Sequence, residues 1–208
     1  MSDNITTAIK KRIENASPGT VFFSSDFTDI ASSTTVRKNL GRLVEAGMLR
    51  RIVDGIYEKP SYSTLLKEEL PADPEKVAYA IAEKYRWTIA PSGDIVLNKL
   101  GLSTQVPVVW SYISDGPYRE YSWKNIRLCF KHRNNRSITN MSQITIMMIE
   151  ALRTLGQNNV NENVINQLRR HITDENREII LSEAKNSGEW IYNTLKEVCE
   201  KKCKELQD

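Results

Sequence analysis

Thr34, Thr35, Lys38 and Arg42 follow one another at helical spacing in the stretch SSTTVRKNLGRLVEAGMLRRIVDGIYEKP, Ser32 to Pro60, and Arg37, Arg50, Arg51 and Lys59 surround them. Hydroxyls, ammonium and guanidinium groups donate hydrogen bonds to the acceptor-rich edges of base pairs, and the cations complement phosphate oxygens. The chemistry on offer is recognition of a patterned anionic polymer, with Thr34, Thr35, Lys38 and Arg42 facing base edges and Arg37, Arg50, Arg51 and Lys59 meeting phosphates. From Ser33 to Lys59 six basic residues stand against three acidic ones, Glu45, Asp54 and Glu58. The whole chain carries a net charge of +3, so affinity for nucleic acid has to come from this local cluster and not from a global field.

Such side chains read a surface only from a rigid support. Val36, Leu40, Leu43 and Val44 fall at i, i+4, i+7 and i+8, which predicts a helix with one buried stripe, opened by Ser33 as its N-cap and closed by Gly47 at C′. Thr34, Lys38, Gly41, Arg42 and Glu45 then lie farthest from the stripe, with Arg37 at its margin. Downstream, Arg50 to Val53, the turn Asp54-Gly55 and Ile56-Tyr57 read as a tight hairpin. Upstream, Ile5, Ala8, Ile9 and Ile13 share a helix face, Val21-Phe22-Phe23 reads as a short strand, and Ser24 or Ser25 caps a short helix through Asp26 to Ile30. Taken alone, a basic helix face is usually a solvated surface. The whole order of elements, however, is that of a winged helix-turn-helix, whose helix enters the major groove and whose hairpin rests on neighbouring phosphates.

The chain of 208 residues is long enough for two modest domains, and its composition, 40% apolar and 26% charged, is that of a soluble globular protein. The expected fold class is α+β: a winged helix-turn-helix over residues 1–62, a linker over 63–72, and a mixed α/β domain over 73–208 with a helical C-terminal region. In the linker a short helix is expected over Thr64 to Leu70. Asp73-Pro74 opens a helix with Val77, Ile81 and Tyr85 on its apolar face. Strands are expected near Trp87 to Ala90, over Thr104 to Ile113 with an interruption at Pro107, over Tyr121 to Trp123, and over Ile126 to Lys131, where Ile126, Leu128 and Phe130 alternate with Arg127, Cys129 and Lys131. The stretch DIVLNKLG reads as a short helix. Four further helices are expected: Ser142 to Leu155, Asn161 to Ile172, Thr173 to Lys185, and one from Ser187 carrying Trp190, Ile191, Leu195, Val198 and Leu206.

Other chemistry finds no foothold. Cys129, Cys199 and Cys203 are too few and scattered for a disulfide framework, and His132 and His171 are remote from the Cys199/Cys203 pair, so neither metal nor cofactor is expected. There is no GxSxG elbow, P-loop or HExxH pattern, and Ser92-Gly93-Asp94 lacks a second carboxylate to hold the metal ions of a nucleotidyl transferase. The sequence predicts no enzyme. No apolar run approaches the roughly 20 residues of a membrane span, and the polar start MSDNITTAIKK is no signal peptide, which predicts a cytoplasmic protein with no membrane partner.

Between Tyr121 and Ile149 there is no Asp or Glu, while Lys124, Arg127, Lys131, Arg133 and Arg136 are all basic. This block reads as an extension of the DNA footprint, a grip on an acidic protein partner or a phosphate site, and equally as a solvated strand edge and loop defended by charge. The grip on an acidic partner is the alternative function, with the winged helix serving only as a scaffold.

Two stretches, TVRKNLGRLVEAGMLRRIVDGIYEKP and APSGDIVLNKLGLSTQVPVVWSYISDGPYREYSWKNIRLCFK, give the chain a resemblance to the AbiEi-type antitoxins, the transcriptional regulators of bacterial type IV (abortive infection, phage defence) toxin-antitoxin systems. The first stretch is shared by many winged regulators; the second is the more specific, and the likeness covers about residues 1 to 155. The resemblance implies a repressor of its own operon that binds double-stranded DNA at promoter inverted repeats; a palindromic operator suits two copies, but no heptad seam or exposed apolar stripe in the sequence nominates a dimer interface. It also implies an antitoxin that opposes a nucleotidyltransferase-like toxin without having to hold it in a complex.

Overall fold

The computed structural model describes residues 2–133 and 139–200. Arg136, Cys203 and Leu206, singled out above, lie outside the described residues. The fold is mixed α and β, and the chain divides into two compact units, Met1–Lys84 with Tyr121–Ile126, and Tyr85–Glu120 with Arg127–Asp208.

The first unit begins with α1 (Ser2–Glu14), β1 (Val21–Phe23), a 3-10 turn at Ser24–Phe27, α2 (Ser33–Glu45), β2 (Arg50–Val53) and β3 (Ile56–Glu58). The three strands form an antiparallel sheet in the order β1-β3-β2, with β3 in the centre and a bulge between Arg51 and Val53. Ile9, Ile13, Phe27, Val36 and Leu40 are fully buried in one core with Phe22, Leu43, Leu49 and Tyr57, because the apolar stripes of α1 and α2 have only each other and the sheet to face. Helix α2 ends as its glycine predicts: Gly47 has φ 72°, and Met48 N donates to the Leu43 carbonyl at 2.9 Å.

Three local expectations are corrected. The N-cap of α2 is Ser32, not Ser33, and its hydroxyl lies 3.0 Å from Thr35 Oγ1. The short helix expected through Ile30 is one 3-10 turn, opened by the Phe23 amide donating to Asp26 Oδ2 at 2.7 Å, and not by Ser24 or Ser25. The helix expected over Thr64 to Leu70 is a hairpin of β4 (Tyr62–Ser63) and β5 (Glu68–Glu69), with Leu65 88% exposed. Leu65 and Leu66 are both exposed, so the two apolar letters that suggested a helix face are not drawn into a core.

The first unit also takes in α3 (Pro74–Tyr85) up to Lys84. Polar ties run within it. Arg50 Nη2 reaches Glu69 at 2.9 Å and the Leu70 carbonyl at 2.8 Å, and Lys84 pairs with Asp26 while its ammonium lies 5.3 Å from the Phe23 ring centroid. As Asp73-Pro74 predicts, the Asp73 carboxylate accepts from the Glu75 amide at 2.9 Å.

In the second part of the chain come β6 (Ile89–Ser92), α4 (Asp94–Lys99), β7 (Val109–Ser114), β8 (Arg119–Trp123), β9 (Ile126–His132), and helices α5 (Gln143–Leu155), α6 (Glu162–Arg169), α7 (Asp174–Glu183) and α8 (Glu189–Cys199). The sheet order is β6-β7-β9-β8, with β6 antiparallel and β9 parallel to β7. Met148, Leu152, Leu168, Ile180, Leu195 and Val198 form the fully buried centre of the helical core. The methionine run of α5 is therefore packing. The strand expected from Thr104 starts only at Val109; Val106 is 84% exposed, and the apolar letters before Val109 belong to a surface loop. Cys129, expected on the outward face of β9, is buried, with its thiol 3.4 Å from the Tyr118 hydroxyl. Among the described residues no helix is long and apolar enough to cross a membrane.

Candidate nucleic-acid interface

Helix α2 holds its outer face by what lies beneath it. Asn39 sits among the buried positions at 5% exposure, accepts a hydrogen bond from Thr6 Oγ1 at 2.6 Å and donates to the Thr35 carbonyl at 2.9 Å. Both ends of this amide are satisfied, which ties α1 to α2 and fixes the rotation of α2 about its axis. The sequence signal was a polar letter between apolar ones; the stripe was read without it.

With that rotation set, Thr34, Arg37, Lys38 and Arg42 are exposed. No hydrogen bond or ion pair with another described residue engages Arg37, Lys38 or Arg42. Thr35 is half-buried, and its hydroxyl and carbonyl serve the first turn of the helix. On the hairpin, Arg51 has a side chain 54% exposed and pairs with Asp54 across the turn. Between α2 and the hairpin runs a groove of about 300 Å³ lined by Arg37, Gly41, Val44, Glu45, Arg51, Asp54 and Tyr57.

Two expected phosphate contacts are occupied elsewhere. The Arg50 guanidinium holds the buried Glu58 at 3.1 Å and also Glu69 and the Leu70 carbonyl, leaving its side chain 13% exposed. Lys59 Nζ donates to the carbonyls of Glu14 at 2.8 Å and Ala16 at 2.7 Å, closing the C-terminal end of α1. Glu69 and Glu14 are far from their partners in the chain, so nothing in local spacing announces either contact. Arg50 and Lys59 are framework residues.

The basic block after Tyr121 divides in the same way. Lys124 lies in the β8–β9 turn with φ 48°, and Lys131 and Arg133 are exposed. Arg127 Nη2 donates to Glu120 at 3.1 Å, and this pair, with a hydrogen bond from Tyr118, holds the Glu120 carboxyl below its ordinary range. The same cluster pushes the Tyr118 phenol up to about 12, first through Cys129 and then through Glu120. Glu120 stands one residue before the acid-free window and neutralises one of its cations. No group of three or more metal-binding side chains occurs among the described residues.

A family model described as a family of unknown function, DUF6088, matches residues 8–180. The chain belongs to the DUF6088 family. No curated protein matches it. The DUF6088 match begins inside α1, contains the whole outer face of α2 and both hairpins of the first unit, and ends within α7.

Proposed function

We propose that this DUF6088 protein is a DNA-binding transcriptional repressor, with residues 1–62 acting as a winged helix-turn-helix in the cytoplasm. The observation that carries the reading is the trio Arg37, Lys38 and Arg42, exposed and unpaired among the described residues on one face of α2, immediately before a hairpin that presents Arg51. Distance favours it as well. At 1.5 Å rise per residue, Thr34 and Arg42 lie about 12 Å apart along the helix axis, about the width of the B-DNA major groove. In this reading Thr34, Lys38 and Arg42 reach base edges, while Arg37 and Arg51 reach phosphates, two copies of the chain occupying promoter inverted repeats.

The resemblance of residues 35–60 and 90–131 to AbiEi-type regulators extends the proposal to an antitoxin that represses its own operon and opposes a nucleotidyltransferase-like toxin. The part played by this protein is regulatory and not catalytic.

Band shifts with the DNA segment upstream of the gene and with a random duplex test the first part. With Arg37 and Arg51 on phosphates in each of two copies, four contacts in all, affinity falls about a hundredfold between roughly 50 and 200 mM salt. A flat salt response ends the DNA reading. For the second part, a nucleotidyl transferase encoded beside the gene is co-expressed with the protein, and growth arrest that persists ends the antitoxin reading.

A further inference from the structure

Gly41 sits in the interior of α2, and no atom lies within 4 Å of the point where a Cβ on it would stand. Its φ is not positive, so no turn or cap requires a glycine here. In a helix interior glycine is less favourable than alanine, since it adds backbone entropy and contributes no side chain. Nothing inside the fold benefits from the missing side chain. Its effect lies on the outer side, where Gly41 lines the groove between α2 and the β2–β3 hairpin, with Arg37 on the helix and Arg51 on the hairpin lining the same groove.

We propose that Gly41 is the point of closest approach between this protein and duplex DNA, where the sugar-phosphate backbone crosses the groove against the bare helix and Arg37 and Arg51 donate to phosphate oxygens on its two sides. The proposal rests on the DNA-binding reading above and locates the strand within it. The geometry suits the strand that separates a major groove holding α2 from the minor groove beside the hairpin. Two guanidiniums meet the polyanion: Arg37 has no partner among the described residues, and Arg51, which pairs with Asp54 in the free protein, turns to a phosphate on binding. Glu45 lines the groove together with Asp54, so the two carboxylates repel the strand everywhere except at the guanidiniums of Arg37 and Arg51. A backbone contact carries no base information, so the requirement for glycine is the same on every sequence.

The experiment compares wild type, Gly41→Ala and Gly41→Leu in thermal melts and in band shifts at about 50 mM salt. The duplexes are one from the segment upstream of the gene and a random one of equal length. Gly41→Ala is expected to melt about 2 to 4 °C higher, because alanine favours the helix and meets no neighbour. It is expected to bind both duplexes about tenfold more weakly, and Gly41→Leu more weakly still. A more stable variant that binds worse cannot be explained by misfolding. If wild type binds and Gly41→Ala stays within about twofold of it, the close approach is wrong and the DNA reading stands. A loss confined to the upstream duplex overturns the backbone contact in favour of base readout. If wild type binds neither duplex, the DNA reading falls and this inference with it.

Discussion

Arg50 and Glu58 stand directly opposite each other in the β2–β3 pair, with Arg50 Nη1 3.1 Å from a Glu58 carboxylate that is 2% exposed. Burial pushes the Glu58 carboxyl above its ordinary range, and Arg50 opposes that shift without cancelling it. Removing the guanidinium leaves a buried carboxylate with no cation in contact, so Arg50→Ala is expected to lose about 3 kcal/mol at neutral pH, seen as a fall in melting temperature. Because the folded carboxyl takes up a proton more readily than the unfolded one, its contribution favours the fold below the unfolded value and is lost as pH rises through the folded one. The deficit of Arg50→Ala relative to wild type therefore shrinks in acid. A variant that melts with wild type at pH 7 would show that the pair does not hold the hairpin.

Arg42 tests base readout, since it is exposed, unpaired among the described residues, and lies two turns along the helix from Thr34. Arg42→Ala is expected to weaken binding to the upstream duplex by about 1 to 3 kcal/mol and to a random duplex by less. Equal losses on both would move Arg42 to the phosphates.

Glu183 accepts from the Ser142 amide at 2.9 Å and the Ser142 hydroxyl at 2.7 Å, holding the start of α5. Burial alone would raise its pKa, but the hydrogen bonds from Thr145 and Ser142 outweigh burial and leave it lowered. Its stabilisation is thus present above the unfolded value, roughly pH 4.3, and disappears as pH falls through the lower folded value. Glu183→Gln is expected to lose about 1 kcal/mol at pH 7, with the gap to wild type closing in acid. Parallel melting curves across pH 3 to 7 would remove Glu183 from the acid response.

What the sequence by itself determined is what repeats locally. The 3.6-residue period of Val36, Leu40 and Leu43 placed α2 and turned Lys38 and Arg42 outward, and Asp54-Gly55 and Gly47 set the hairpin and the helix end, because each depends on neighbours within a few residues. The match to DUF6088 adds a family without adding a function. Tertiary structure decided which cations remain available. Arg50 and Lys59 look identical to Arg51 and Lys38 as letters, yet Glu58 and Glu69 take one and the end of α1 takes the other. It likewise decided that Leu65 and Val106 stay in water while Cys129 goes under Tyr118. Glu58 lies across the hairpin from Arg50 and was within reach of local reading, but Glu69 and the end of α1 stand far along the chain, and local spacing holds no record of which such residues the fold brings near.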